Sequence, residues 1–251
     1  MYVAKYSASG NDFVIYHTFR KINRSEIAKK LCDRFNGVGA DGLIVLLPHE
    51  KYDFEWQFYN ADGSEAHMCG NGSRAAAMYA YENNLADKKM KFLTLAGVIE
   101  AEVDGDEVTS QLTPYKFLGE YEDFGVKFRI YDTGVPHIVI LDNIEKFDKD
   151  LARKLRMKYN ANVNWAEVRG DKLFVRTYER GVEDETLACG TGMCASFLVA
   201  RDSGFSESKI ELRPKSNEKL EVSLQNDTLF FKGKVKKTFE AFLKEDEKVL
   251  L

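Results

Sequence analysis

The chain holds only four cysteines among its 251 residues, Cys32, Cys69, Cys189 and Cys194, and no two stand as a Cys-x-x-Cys pair. That absence argues against the usual zinc knuckles, which depend on short Cys/His spacings. Long apolar runs are missing too. The longest aliphatic stretch, Leu43 to Leu47, is far too short to span a bilayer and reads as a buried strand ended by Pro48. No block of Lys and Arg exists: 36 basic and 40 acidic residues are interspersed, with a net charge of −4. Such a surface offers no patch for nucleic acid or membrane. The segment Met1 to Tyr6 lacks a basic region followed by an apolar one, so no signal peptide is expected. A cytoplasmic location with all four cysteines as free thiols follows as the expectation. Low-complexity tracts and long linkers are also absent.

What remains is a globular composition, 44% hydrophobic and 30% charged, long enough for one large domain or two of ordinary size. Its most informative feature is self-similarity. Gly10-Asn11-Asp12-Phe13-Val14-Ile15 resembles Gly134-Val135-Pro136-His137-Ile138-Val139, and Arg34-Phe35-Asn36 resembles Lys158-Tyr159-Asn160. In the same order, Glu65-Ala66-His67-Met68-Cys69-Gly70-Asn71-Gly72 matches Glu185-Thr186-Leu187-Ala188-Cys189-Gly190-Thr191-Gly192. Colinear matches at a nearly constant offset predict two related α/β halves with a crossover near Thr113-Pro114.

Each half repeats one local plan. An alternating segment, residues 53–58 or 172–178, predicts a strand. A polar turn follows, Asn60-Ala61-Asp62-Gly63 or Glu179-Arg180-Gly181. Then come Cys-Gly-x-Gly and a run of small and apolar residues. Met193 to Ala200 carries no charge, the mark of a helix buried on all sides. The predicted fold is therefore mixed α/β (α+β). Its two pseudo-symmetric halves are each a mostly antiparallel sheet or barrel around a central helix, with the active site in the cleft between them. Residues 25–35, with Ser25 as cap, and 146–159 read as further helices. Strands are expected over 91–103, 130–141, 209–212, 220–224 and 228–236.

A helix start leaves N–H groups unsatisfied and carries partial positive charge. Glycines let an anion approach, and the same field lowers a cysteine's pKa. One such site is ordinary, because a Gly-rich turn is common and a free cysteine is often core filler. Two in related halves suggest opposed acid and base. One thiolate would remove an α-proton while the other thiol protonates the opposite face, and N–H groups would hold the carboxylate as it gains electron density.

The runs Asn60 to Arg74 and Tyr178 to Gly192 resemble the two cysteine motifs of the diaminopimelate epimerase family. Gly10-Asn11-Asp12-Phe13, Gly39-Ala40-Asp41-Gly42, Pro136-His137 and Asn162-Val163-Asn164 match in order, so the resemblance spans nearly the whole chain. It implies interconversion of LL- and meso-diaminopimelate without pyridoxal phosphate, metal or other cofactor, on the path to lysine and the peptidoglycan cross-link. It also implies Cys69 and Cys189 as the two bases, with His137 and Glu179 setting their pKa values. Asn11, Asn60, Gly70, Asn71, Asn162, Glu179, Arg180, Gly190 and Thr191 would bind substrate. The chemistry agrees, since Arg180 suits a carboxylate and Glu179 an ammonium. One position departs: Val135 stands where the family carries Asn.

By the same resemblance the final strand, near residues 234–242, returns to the first half. The halves would then be 1–112 with 234–251, carrying Cys69, and 113–233, carrying Cys189. A homodimer is the expected assembly. Cys32 and Cys194 match no catalytic position and read as core, while His17, His49 and His67 read as surface or supporting residues. The run Lys244 to Lys248 reads as a solvated end. Alternatives are a related racemase of histidine or proline type, a non-catalytic amino-acid-binding protein, and a zinc-binding regulator. Glu179-Arg180 and Met68-Cys69-Gly70-Asn71 favour diaminopimelate, and retention of both cysteines favours catalysis.

Overall fold

The computed structural model describes residues 1–205 and 208–244, so of the expected solvated run only Lys244 lies within the described residues. The chain divides into two compact units. One comprises Met1–Gln111 together with the chain from Gly233 onward, the other Leu112–Lys232.

In the first unit the strands are β1 (Tyr2–Ala8), β2 (Asn11–His17), β3 (Gly42–Leu47), β4 (Phe54–Asn60), β5 (Lys89–Thr94), β6 (Gly97–Asp104) and β7 (Glu107–Gln111). They lie side by side in chain order, and the final strand β16 (Thr228–Phe242) follows β7. Pairing of β16 with β1, from Tyr2↔Phe242 to Ala8↔Val235, closes an eight-stranded barrel. The β2–β3 and β4–β5 pairs are parallel, and every other pair given by register is antiparallel. Closure leaves no free edge strand in the ring.

Side chains alternate across a strand, so each strand feeds two cores. Ala4, Tyr6, Phe13, Ile15, Ile44 and Leu46 pack on helix α2 (Gly70–Glu82), while Val3, Val14, Leu43 and Val45 pack on helix α1 (Ser25–Cys32). Every residue of α2 from Gly72 to Ala80 is buried. Alanines at positions 75–77 and 80 let strands approach the helix on all sides.

The second unit repeats the pairing order. Its elements are β8 (Lys116–Asp123), β9 (Val126–Asp132), β10 (Pro136–Leu141), α3 (Lys149–Tyr159), β11 (Asn162–Arg169) and β12 (Lys172–Glu179). After them come β13 (Asp184–Thr186), α4 (Gly190–Asp202), β14 (Lys209–Pro214) and β15 (Leu220–Gln225). From β9 through β10, β11, β12, β14 and β15 to β16, the pairs run antiparallel, parallel, antiparallel, parallel, antiparallel, antiparallel, as they do from β1 to β7. Helix α4 is surrounded like α2, with Gly192 to Ala200 all buried. Among the described residues no helix is long and apolar enough to cross a membrane.

Local chemistry corrects several sequence expectations. The segments expected as single strands over 91–103 and 130–141 are each two strands. Gly97 (φ +112°) and Gly134 (φ +111°) turn the chain in a region that other residues avoid. Ser25 does not cap α1. The capping position is Arg24, and the Ser25 hydroxyl donates to the Gly63 carbonyl at 2.7 Å, tying the helix to the turn after β4. Helix α3 begins at Lys149 because the Asp148 carboxylate accepts from the N–H groups of Asp150 and Leu151. Strand β8, which is exposed or half-buried throughout, offers no alternation by which to read it.

Burial makes the first core a stability determinant. Phe92, fully buried and stacked on Phe54 at 4.6 Å, should lose about 3–5 kcal/mol of unfolding free energy on mutation to Ala. The 97% exposed Phe35 should change stability by less than about 0.5 kcal/mol on the same substitution. Urea unfolding of both variants checks this.

Candidate active site

Both expected cysteines stand at the N-cap of a buried helix. Cys69 (φ −150°, ψ 119°) precedes α2 and Cys189 (φ −129°, ψ 107°) precedes α4, each in extended backbone. The chain enters each helix directly from this residue, so the thiol lies beside the unpaired N–H groups of the first turn.

Around Cys69, the sulfur accepts from the Gly72 N–H at 3.4 Å. A Cβ at Gly72 would come within 3.3 Å of Cys69 Cβ and 3.4 Å of Ile44 Cδ1, so glycine lets the helix start settle onto β3. Asn71 Nδ2 donates to Asn11 Oδ1 at 2.6 Å, and Asn11 Nδ2 donates to Asp41 Oδ2 at 2.9 Å. Arg74 is fully buried and donates to Asn71 Oδ1 at 2.6 Å and to Ser9 Oγ at 2.8 Å. Loss of solvent pushes the Cys69 thiol pKa up, opposed by the N–H groups of Gly72 and Asn71 and by the Arg74 charge.

Cys189 has a different floor. Its sulfur lies 3.6 Å from Thr191 Oγ1, which lies 2.8 Å from His137 Nε2. The other ring nitrogen of His137 lies 3.1 Å from Asn164 Nδ2, and Thr177 Oγ1 donates to Asn164 Oδ1 at 2.8 Å. His137, Asn164 and Thr177 are all buried. A Cβ at Gly192 would sit 2.3 Å from Asn164 Oδ1, so only glycine lets α4 begin over this amide. Asn162 Oδ1 accepts from the Arg180 backbone N–H at 2.8 Å, and Arg180 Nη1 donates to the Asn160 carbonyl at 2.9 Å. Burial, then the Glu179 carboxylate, pushes the Cys189 thiol up to about 11, against the Thr191 hydroxyl and the N–H groups of Gly192 and Thr191. Burial, then the Arg180 charge, pushes His137 down to about 3.

The helix-end field was expected to leave the cysteines acidic. It acts in that direction at both sites, but desolvation of the thiolate is the larger effect. Of the anticipated residues, Asn11, Gly70 and Asn71 gather at the Cys69 helix start, and His137, Asn162, Glu179, Arg180, Gly190 and Thr191 gather near Cys189. Asn60 is exposed at the end of β4, with its amide donating to Ser64 Oγ. Val135 is half-buried in the β9–β10 turn, where its carbonyl accepts from the Thr133 N–H.

Sequence reasoning missed Ser9 and Arg74 in the first site and Asn164 and Thr177 in the second. A legible signal existed for two of them. Arg74 is a charge inside an alanine-rich run, and Asn162 and Asn164 stand two apart on one strand, hence on one face. Among the described residues, no group of three or more His, Cys, Asp or Glu side chains is placed to hold a metal ion.

The sequence matches the diaminopimelate epimerase family model over residues 3–118 and 129–238. It is 62% identical over 245 residues to a diaminopimelate epimerase of a Nitratiruptor species, covering 96% of this chain and 98% of that one. Identity to a Campylobacter jejuni protein of the same name is 54% over 240 residues, covering 94% and 96%. The fold resembles that of a putative phenazine biosynthesis PhzC/PhzF protein from Clostridium difficile (strain 630), with TM-score 0.74 at 16% identity over 98% of this chain and 100% of that one. With a family model matched along most of its length and relatives this similar end to end, the chain belongs to the diaminopimelate epimerase family.

Proposed function

We propose that the protein epimerises LL-2,6-diaminopimelate to meso-diaminopimelate, a step toward lysine and peptidoglycan precursors, with Cys69 and Cys189 exchanging protons on opposite faces of one α-carbon. The observation that carries this reading is the duplicated helix start. Each unit ends a strand–turn segment in a cysteine that caps a buried helix, with glycines opening the first turn to an anion. Family membership supports the substrate.

In this reading one thiolate takes the α-proton, and the electron pair of the broken C–H bond delocalises into the adjacent carboxylate. The opposite thiol then delivers its own proton to the other face. First-turn N–H groups at Gly70-Asn71 and Gly190-Thr191 stabilise the growing carboxylate charge. The pairing of one thiolate with one thiol needs only a single charged sulfur at a time. Both proton carriers are side chains, so no step calls on a cofactor. Arg180, already aimed by the Asn160 carbonyl, is assigned the distal carboxylate, and Glu179 an ammonium group. Asn11, Asn60, Asn71, Asn162 and Thr191 complete the polar lining. A homodimeric cytoplasmic enzyme remains part of the reading.

Replacement of either Cys69 or Cys189 by Ala should lower kcat by about 10²–10⁴-fold, the usual contribution of a positioned acid or base. Cys32→Ala should stay near the parent rate. Incubation with LL-diaminopimelate in D2O, followed by chiral analysis and mass spectrometry, reads both inversion and α-deuterium. A Cys189→Ala variant that still inverts the centre at parental rate refutes the two-base reading.

Arg180→Ala should reduce kcat/KM by at least about 10²-fold, because a charged substrate group loses its partner in a desolvated site. Val135→Asn should change it far less. Lysine, which lacks the distal carboxylate, should be a very poor substrate, and efficient racemisation of lysine or histidine would overturn the substrate assignment.

The Glu179 charge raises the Cys189 pKa, so Glu179→Gln should move the midpoint of Cys189 alkylation to lower pH in the free enzyme. Rate measurements with iodoacetamide, resolved by peptide mass spectrometry, check the direction. An unchanged or higher midpoint would contradict it.

A further inference from the structure

The hydrogen bonds beneath Cys189 have a direction, and it can be traced from a backbone atom. Asn164 Nδ2 lies 2.8 Å from the Ile138 carbonyl oxygen and 3.1 Å from His137 Nδ1. A carbonyl oxygen only accepts, so the amide must turn its NH2 group, not its oxygen, toward Ile138. The second N–H of that group then points at His137 Nδ1. A neutral imidazole has one N–H and one lone pair. Nδ1 faces a donor and carries the lone pair, so the proton resides on Nε2. From Nε2 the ring donates to Thr191 Oγ1, 2.8 Å away, which leaves the Thr191 hydroxyl proton for the Cys189 sulfur. Asn162 Nδ2, 3.4 Å from the same ring nitrogen, is served by the Pro136 carbonyl at 3.4 Å.

The fold itself does not demand this network. The same register in the first unit places Phe13 opposite Gly42 and Ile44 opposite Phe58, where the second unit places His137 opposite Asn162 and Asn164 opposite Thr177. Gly72 rests on Ile44 and Phe13 as Gly192 rests on Asn164 and His137. An apolar trio therefore supports one cysteine-capped helix, and a buried polar trio supports the other. A buried polar group costs free energy unless it is fully paired, so an ordered polar trio where an apolar one suffices points to a task.

We propose that Asn164 is a positioning residue that fixes His137 as the Nε2–H tautomer and thereby aims the Thr191 hydroxyl at the Cys189 sulfur. The proposal rests on the reading that Cys189 exchanges the substrate proton. Its role is to keep a donor on the sulfur whenever the thiolate forms. The charged groups near the network are Arg180, which disfavours protonation of His137, and Glu179, which disfavours the Cys189 thiolate.

The test uses full-length protein labelled with 15N-histidine. Only four histidines are present, and a His137→Gln sample assigns the signal. The parent should show His137 as neutral Nε2–H throughout pH 5–9. Asn164→Asp replaces the donor by an acceptor, so the proton should move to Nδ1 and Thr191 should turn its hydroxyl to Nε2. The sulfur then loses its donor. The Cys189 alkylation midpoint should rise, that of Cys69 should stay, and kcat should fall about 10- to 100-fold, the scale of one hydrogen bond to a charged group. Should Asn164→Asp not fold, Thr191→Val must still raise the Cys189 midpoint and Thr191→Ser must restore it. An Nδ1–H or doubly protonated His137 in the parent overturns the proposal. So does a Thr191→Val midpoint equal to the parent's, or an Asn164→Asp variant that loses stability and rate with tautomer and midpoint unmoved. The tautomer is read without substrate, so it stands or falls separately from the two-base reading, which Cys189→Ala tests.

Discussion

Each unit depends on a helix that is buried on every side. Such a helix has no polar face to offer solvent, so its buried residues are mostly small or apolar, with Ser73, Arg74 and Ser196 as exceptions, and its first turn presents unpaired N–H groups as a polar feature. In α2 and α4 that feature falls beside a cysteine. Strands supply the wall that buries each helix, and Gly72 and Gly192 let the first turn touch that wall. Substitution at Gly192 would collide with Asn164, so packing and chemistry meet at one atom.

Duplication built two such sites, and the two differ in what lies beneath the thiol. Cys69 has an apolar floor of Phe13 and Ile44 and a buried guanidinium, Arg74, one turn further along the helix. Cys189 has a floor of hydrogen-bonded side chains and an acid nearby, Glu179. Position 74 in the first unit is matched by Cys194 in the second, so the cation has no counterpart there. A thiolate at Cys69 is favoured by a fixed charge, a thiolate at Cys189 by an oriented hydroxyl. Two chemically unlike supports suit the proposed two-base reading, in which the two thiols exchange roles between the two directions of a reversible inversion.

Desolvation sets the energetic problem both sites share. A thiol held out of water resists ionisation, and a few N–H groups offset only part of that cost. In the proposed two-base reading, a substrate ammonium brought to the site changes this balance, so the resting acidity of either cysteine understates its basicity toward bound substrate. In that reading the same low-dielectric surroundings strengthen each N–H group that meets the developing carboxylate charge.

Much of this was legible in the sequence because the relevant constraints are local. Cys-Gly-x-Gly before a run of mostly small and apolar residues gave both helix starts, and colinear repeats gave the duplication. Strand alternation gave the walls of the central helices. Turn chemistry was harder to read: Gly97 and Gly134 split segments whose apolar pattern is continuous, and Asp148 moved the start of α3. The hydrogen bonds that join the trio under Cys189 were not legible, although His137 itself was. His137, Asn164 and Thr177 come from three strands, and only register brings them together. Sequence alone decided that each cysteine would stand at the N-cap of a buried helix, since residue size and helix-end geometry act over a few neighbours. Tertiary structure decided which side chains lie beneath each thiol and which way their protons point, because pairing between distant strands sets those distances.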